Sequence, residues 1–223
     1  MSKLVSTKLS QNFDRQEAIE QLSKIGTTES AAALLRRFDW SMDPSITDQE
    51  EKEAASRGIV AAGEAALPAI REYCRKAESL TWPLKTLRQI TGEDEYADEL
   101  LELLDQFDTE YVRNHEPKVQ LIAALEAYPS EDVREAVEPF VGDASEPVRF
   151  AAVTTVFAMK DAASVPALVA ALEEEESLRV KNRIAAGLSE RNWQIPDDLR
   201  DTCERALPPD FALMPDGRVR RRG

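Results

Sequence analysis

Between Glu146 and Leu172 the apolar side chains return at the three- and four-residue steps of an amphipathic helix. Val148, Ala151, Ala152, Val156 and Met159 share one face. After a short turn, Val165, Leu168, Val169 and Leu172 share a face of a second helix. That second helix opens on a phrase of small and apolar residues around a proline. The phrase returns at Ala66-Leu67-Pro68-Ala69-Ile70, and in looser form at Ser30-Ala31-Ala32-Ala33-Leu34 and Ile195-Pro196-Asp197-Asp198-Leu199. A proline in the first helical turn removes no internal hydrogen bond, so Pro68, Pro166 and Pro196 are compatible with helix starts.

With Leu34, Ile70, Leu100, Ala136, Leu168 and Leu199 as equivalent anchors, the intervals are 36, 30, 36, 32 and 31 residues. A period in the low thirties means one helical hairpin per unit. The pattern predicts six, at about 14–38, 47–77, 79–107, 116–141, 145–174 and 177–207. Asp14 is the expected N-cap of the first hairpin, and Gly26 ends its first helix. Thr47-Asp48-Gln49-Glu50 reads as a capping box, in which the Thr hydroxyl and the Glu carboxylate satisfy two orphan N–H groups. Pro83 starts and Gly92 ends a helix of the third hairpin. Tyr128-Pro129-Ser130 breaks the fourth, and Pro208-Pro209 closes the sixth. A lone hairpin cannot bury both faces, so neighbours must stack around a shared core. The expected organisation is an N-terminal segment 1–13, a repeat region 14–207 and a basic C-terminal tail 208–223.

These phrases, above all EPVRFAAVTTVFAMKDAASVPALVAALEEEE, resemble HEAT repeats of the short kind called HEAT-like or PBS-lyase-type repeats, over roughly residues 13–207. The valine-arginine pair of the first helix stands as Val148-Arg149, with an echo at Leu178-Arg179. The resemblance implies an all-α fold, a right-handed α-solenoid of about six HEAT-like helical hairpins whose second helices line a concave surface. For function it implies a scaffold or adaptor for other proteins. Relatives of the same repeat class include bilin lyases that attach chromophores and DNA glycosylases that hold duplex in a basic concave face. A chromophore-modification factor and a nucleic-acid-binding solenoid are therefore the alternatives, and fold analogy does not choose among them.

Charge narrows the choice. The 223 residues carry 42 acidic and 28 basic side chains, a net −14, which argues against a general grip on phosphate backbones. No apolar run reaches the roughly 18 residues of a membrane span. The opening MSKLVSTKLSQNFD lacks the apolar run of a signal peptide. Cys74 and Cys203 form no CxxC pair and read as buried thiols in a reducing compartment, so a cytoplasmic location is expected.

Catalytic signals are sparse. The one histidine, His115, sits in a polar turn before a helix and suits capping or a surface position better than a general base. HExxH, GxSxG, P-loop and GxGxxG patterns are missing, as is metal-ligand spacing of Cys and His. A non-enzymatic protein without cofactor or metal is expected.

Binding signals are stronger. Residues 93–110 hold nine acidic side chains and no basic one. If Ala97, Leu100, Leu101, Leu104 and Phe107 face the core, Asp94, Asp98 and Glu102 follow at four-residue steps along another face, with Asp105 nearby. Like charges at that spacing cost about 0.2–0.5 kcal/mol per pair. The row is either a solvated face or one that meets a basic or amphipathic partner. The stretch Ser41–Glu53 reads as a long acidic loop carrying Asp43, Asp48 and Glu51, with Phe38 and Trp40 anchoring it, and it fails the calcium-loop template for want of a turn glycine. Arg218, Arg220, Arg221 and Arg222 form a basic tail, either solvated or bound to an anionic partner. For Arg179, Lys181 and Arg183, ion pairs between repeats are the expected role.

Overall fold

A computed structural model describes residues 1–222, the side chain of Asp94 excepted. Among the described residues the chain forms twelve α-helices and one two-stranded sheet, divided into two compact units, Met1–Gln106 and Phe107–Gly223.

In the first unit, α1 (Ser2–Val5) packs on the hairpin α2 (Asn12–Ile25) and α3 (Thr28–Leu35). The second hairpin is α4 (Ser45–Ala62) and α5 (Leu67–Cys74), and α6 (Thr81–Leu104) supplies the third. Ala18, Ile19 and Leu22 turn the buried face of α2 inward, and Gly26 stops the helix in the left-handed region at φ 65°. Thr27 and Ser30 cap α3 reciprocally. Inside α6 the backbone at Gly92 takes φ 73° and ψ −173°, a conformation open to glycine almost alone. That one residue separates the two arms of the third hairpin. Arm 81–91 lies against α4, with the hydroxyls of Ser56 and Thr86 bonded at 2.8 Å. Arm 93–104 lies against α5 and buries Tyr96, Leu100, Leu103 and Leu104. Ala97 and Leu101 are only half-buried, so this arm is rotated from the expected stripe.

The second unit stacks α7 (Glu116–Leu125) and α8 (Glu131–Val137), α9 (Glu146–Met159) and α10 (Val165–Glu174), then α11 (Leu178–Arg191) and α12 (Arg200–Ala206). First helices α7, α9 and α11 form one layer. The 3-10 turn Glu138–Gly142, α10 and α12 form the other. Leu121, Ile122, Val148, Val156, Ile184 and Leu188 fill the space between them without solvent exposure. The fit is tight enough that a Cβ on Gly187 of α11 would stand 2.2 Å from the Phe157 ring. This is an all-α solenoid packing of helical hairpins.

Ionic bridges tie one repeat of this unit to the next. Lys118 Nζ donates to Asp143 Oδ2 at 2.7 Å, and Arg149 Nε donates to Glu175 Oε2 at 2.7 Å. Each acid also accepts a backbone N–H two residues on, Ser145 for Asp143 and Ser177 for Glu175. Arg179 reaches Glu146 at 3.2 Å, an ion pair between repeats of the expected kind.

The C-terminal residues form a hairpin, β1 (Phe211–Leu213) and β2 (Val219–Arg221), antiparallel with Phe211 opposite Arg221 and Leu213 opposite Val219. Its turn closes with the Gly217 N–H on the Met214 carbonyl, Gly217 being at φ 78°. Phe211 and Val219 are buried, β1 against α12 and β2 against α11.

Three local expectations are corrected. Asp14 does not cap α2: the helix begins two residues earlier with Gln11 at the N-cap, and the Arg15 guanidinium takes the Ser10 carbonyl and the Asn12 side chain, tying this turn to the helix. Thr47 to Glu50 is no capping box, because α4 has already begun at Ser45 behind Pro44. The acidic loop is correspondingly short. Of the three acids singled out there, only Asp43 precedes the helix, while Asp48 and Glu51 belong to α4.

Candidate interaction surface

In the first unit the second helices α3 and α5 border an open groove of about 830 Å³. Its floor exists because the facing side chains are small: Ala32 and Ala33 on α3, Ala69 on α5. Ile25, Leu35 and Tyr73 add larger apolar walls. The Tyr73 hydroxyl donates to Asp39 Oδ1 at 2.8 Å. Burial first, and the neighbouring carboxylate next, push the phenol far above its ordinary range, so Tyr73 stays a neutral donor at the rim. Glu29 lies at the same rim, held below its ordinary value by its own backbone N–H and the Thr27 hydroxyl. The second unit repeats the device. Ala167, Ala170 and Ala171 of α10 floor a groove of about 680 Å³ beside Arg134 and Glu138.

The acidic row lies on α6, which packs on α5. Asp98 and Glu102 are exposed on arm 93–104 of α6 and Asp105 is exposed at its C-cap, while the side chain of Asp94 lies outside the described residues. The row is less isolated than its sequence implies. Glu99 between them is buried and accepts from Arg71 of α5, Nε to Oε2 at 2.9 Å, and Glu102 stands 3.7 Å from the same guanidinium. The hydrogen bond to Glu99 raises the Arg71 pKa further. Glu93 pairs with Arg88 at 2.7 Å. Arg71 was missed because it sits 28 residues away on another helix, and only the stacking of α5 on α6 brings it in.

Two acids expected to be available in the loop are consumed by a buried ionic cluster. Glu51 Oε1 lies 2.9 Å from Arg15 Nη2, and Glu51 Oε2 lies 2.8 Å from Arg37 Nε. Asp48 pairs with Arg37 at 2.7 Å and Lys52 at 2.8 Å, and accepts the Met42 N–H at 3.1 Å. Burial pulls the Asp48 carboxyl up, but the hydrogen bonds from Lys52 and Arg37 outweigh it and leave the pKa below its ordinary value. The Trp40 ring lies 3.8 Å under the Arg37 guanidinium, and its Nε1 donates to the Val5 carbonyl at 3.3 Å. Trp40 thus anchors α1 as well as the short loop. Phe38 stacks on Trp82 with ring centroids 5.7 Å apart.

His115 stands at the N-cap position of α7 but makes no side-chain cap; Asn114 accepts the Glu116 N–H instead. Cys74 and Cys203 are free and buried. Burial pushes their thiols up to about 12 and about 11, which keeps them protonated and unreactive at neutral pH. Among the described residues no group of three or more His, Cys, Asp or Glu is placed to hold a metal ion, and no helix is long and apolar enough to cross a membrane. Of the four tail arginines, Arg218 is engaged by Asp216 at 3.3 Å and by the Asn192 carbonyl at 3.2 Å, while Arg220, Arg221 and Arg222 are exposed on or beside β2.

Stacked two-helix units with apolar interiors and ionic bridges between neighbours define a helical-repeat protein. The family is more specific: residues 114–189, from the turn before α7 into α11, match the family model for HEAT repeats. No curated protein and no solved structure matches the chain.

Proposed function

We propose that this chain is a non-enzymatic cytoplasmic scaffold or adaptor that docks a basic or amphipathic segment of another protein on the second-helix face of its first unit. HEAT repeats are commonly protein-interaction scaffolds. One juxtaposition supports the placement. α5 borders the alanine-floored groove and also packs on α6, where Asp98 and Glu102 are exposed, Glu102 3.7 Å from Arg71 of α5, and Asp105 is exposed just past the helix end. Asp94 joins the row by its four-residue step. Apolar anchors in the groove would set affinity, and the carboxylates would raise the association rate. A duplex-holding relative needs a basic face, whereas this one is acidic, which favours a protein partner. The cytoplasmic assignment rests on the two free, buried thiols.

A labelled amphipathic Lys/Leu helical peptide, titrated onto the full chain by stopped-flow anisotropy, tests the placement. Replacing Asp94, Asp98, Glu102 and Asp105 by Lys should slow association about tenfold or more at low salt. Ala32→Trp, which fills the groove, should instead speed dissociation. Unaltered binding in both variants would show that this face is not the docking site.

A further inference from the structure

We infer that the outer face of the β1–β2 hairpin is a second interaction surface, one that takes an acidic segment of another protein in extended conformation. The inference is independent of the acidic face of the first unit. Side chains alternate across a strand, and Val219 points inward with no exposure, so Arg218 and Arg220 point outward. The Arg222 N–H bonds the Asp210 carbonyl at 2.8 Å, which continues the ladder and places Arg222 on the same outward side. Arg218 is held by Asp216 and Asn192. Arg220 and Arg222 are exposed; among the described residues neither side chain makes a hydrogen bond or an ion pair within 4.0 Å, and Arg220 acts on Asp216 only through its charge. Beside them, Met214 and the half-buried Ala212 add a small apolar floor.

The concentration of positive charge here is local. Residues 177–223 carry ten basic and seven acidic side chains, a net +3, whereas residues 1–176 carry −17. Two residues of strand span about 6.6–6.8 Å, so Arg220 and Arg222 match the spacing of carboxylates at alternate positions of an extended peptide. Arginine forks grip carboxylates bidentately, which adds geometry to charge. A single-stranded nucleic acid fits less well. Its bases need aromatic platforms, and the one aromatic residue of the strands, Phe211, is buried on the opposite side. A long polyanion would also extend past the hairpin toward a chain that is otherwise strongly negative. A short acidic segment need cover only the hairpin.

Two fluorescent hexapeptides of equal composition, one alternating Glu-Thr and one with three Glu followed by three Thr, provide the test on the full chain. The alternating peptide should bind with an affinity that falls as salt rises, and the block isomer should bind at least about threefold more weakly. Arg220→Glu with Arg222→Glu should weaken the alternating peptide about tenfold or more, while the four Lys substitutions in the acidic row should not weaken it. Because both arginines are exposed and, among the described residues, make no side-chain hydrogen bond, the variant should keep its far-UV circular dichroism; if it does not, Arg220→Gln with Arg222→Gln serves in its place. The inference is overturned by equal affinity for the two isomers, by indifference to the hairpin substitutions, by no binding of the alternating peptide, or by tighter binding of oligo(dT) or phosphatidylserine vesicles.

Discussion

Arg149 grips Glu175 with two parallel hydrogen bonds, Nε to Oε2 at 2.7 Å and Nη2 to Oε1 at 2.8 Å, across 26 residues of chain. The pair joins α9 to the turn that starts α11, and the same carboxylate accepts the Glu176 and Ser177 N–H groups. Burial alone would raise the Glu175 pKa. The hydrogen bonds from Arg149 and Ser177 outweigh it and hold the carboxyl below its ordinary 4.5.

The sign of the pH dependence follows from that depression. A carboxylate with a lowered folded-state pKa contributes stability in full above its unfolded value, near 4.5, and loses it as pH falls through the folded value. The second unit should therefore lose stability on acidification below about 4.5, and Glu175→Gln should flatten that dependence. At neutral pH the substitution should cost about 1.5–3 kcal/mol, as expected for charge-assisted bonds. Native-state hydrogen exchange of α9 and α11 amides, followed against pH, checks both statements.

The cluster around Glu51 makes a sharper claim. Glu51, Arg15 and Arg37 are each at most 1% exposed, so removing the carboxylate leaves two buried guanidinium groups short of their shared partner. Glu51→Leu should destabilise the first unit by about 3–5 kcal/mol. Urea unfolding measures the loss. The near-UV circular dichroism of Trp40, stacked under Arg37, should weaken with it.

Gly187 tests the packing of α11 on α9. In an unconstrained helix, Gly→Ala gains about 1 kcal/mol. Here the new Cβ would lie 2.2–2.5 Å from three atoms of the Phe157 ring, which is itself stacked on Trp193 at 5.5 Å. Overpacking of this kind costs about 1–3 kcal/mol and forces a shift of the backbone or the ring. The net effect of Gly187→Ala should be a lower melting temperature and a changed Trp193 emission. A gain in stability would show that α9 and α11 are less tightly packed than described.

Much of the repeat pattern was legible before any coordinate. The fifth hairpin was expected at about 145–174, and its helices run Glu146–Met159 and Val165–Glu174. Gly26 ends α2 in the left-handed region that glycine enters without a Cβ penalty, and Gly92 divides α6 at angles open to glycine almost alone. Helix starts were read less well. Asp14 and Thr47 both resemble N-caps, yet their helices begin earlier, since Arg15 and Asp48 turn their side chains to groups upstream of the start. The acidic row was visible as a charge pattern, but its partial neutralisation by Arg71 was not.

What the chain alone determined is local and periodic: helix faces, breaks at glycine and proline, and the two-helix repeat, all set by neighbours within a few residues. The tertiary structure decided which charges remain available. Asp48 and Glu51 are spent inside the first unit, Asp98, Glu102 and Asp105 stay exposed, and Arg220 and Arg222 face outward from an ordered hairpin. Pairs such as Arg15–Glu51 and Arg71–Glu99 join groups 36 and 28 residues apart, and that proximity comes from packing one repeat on the next.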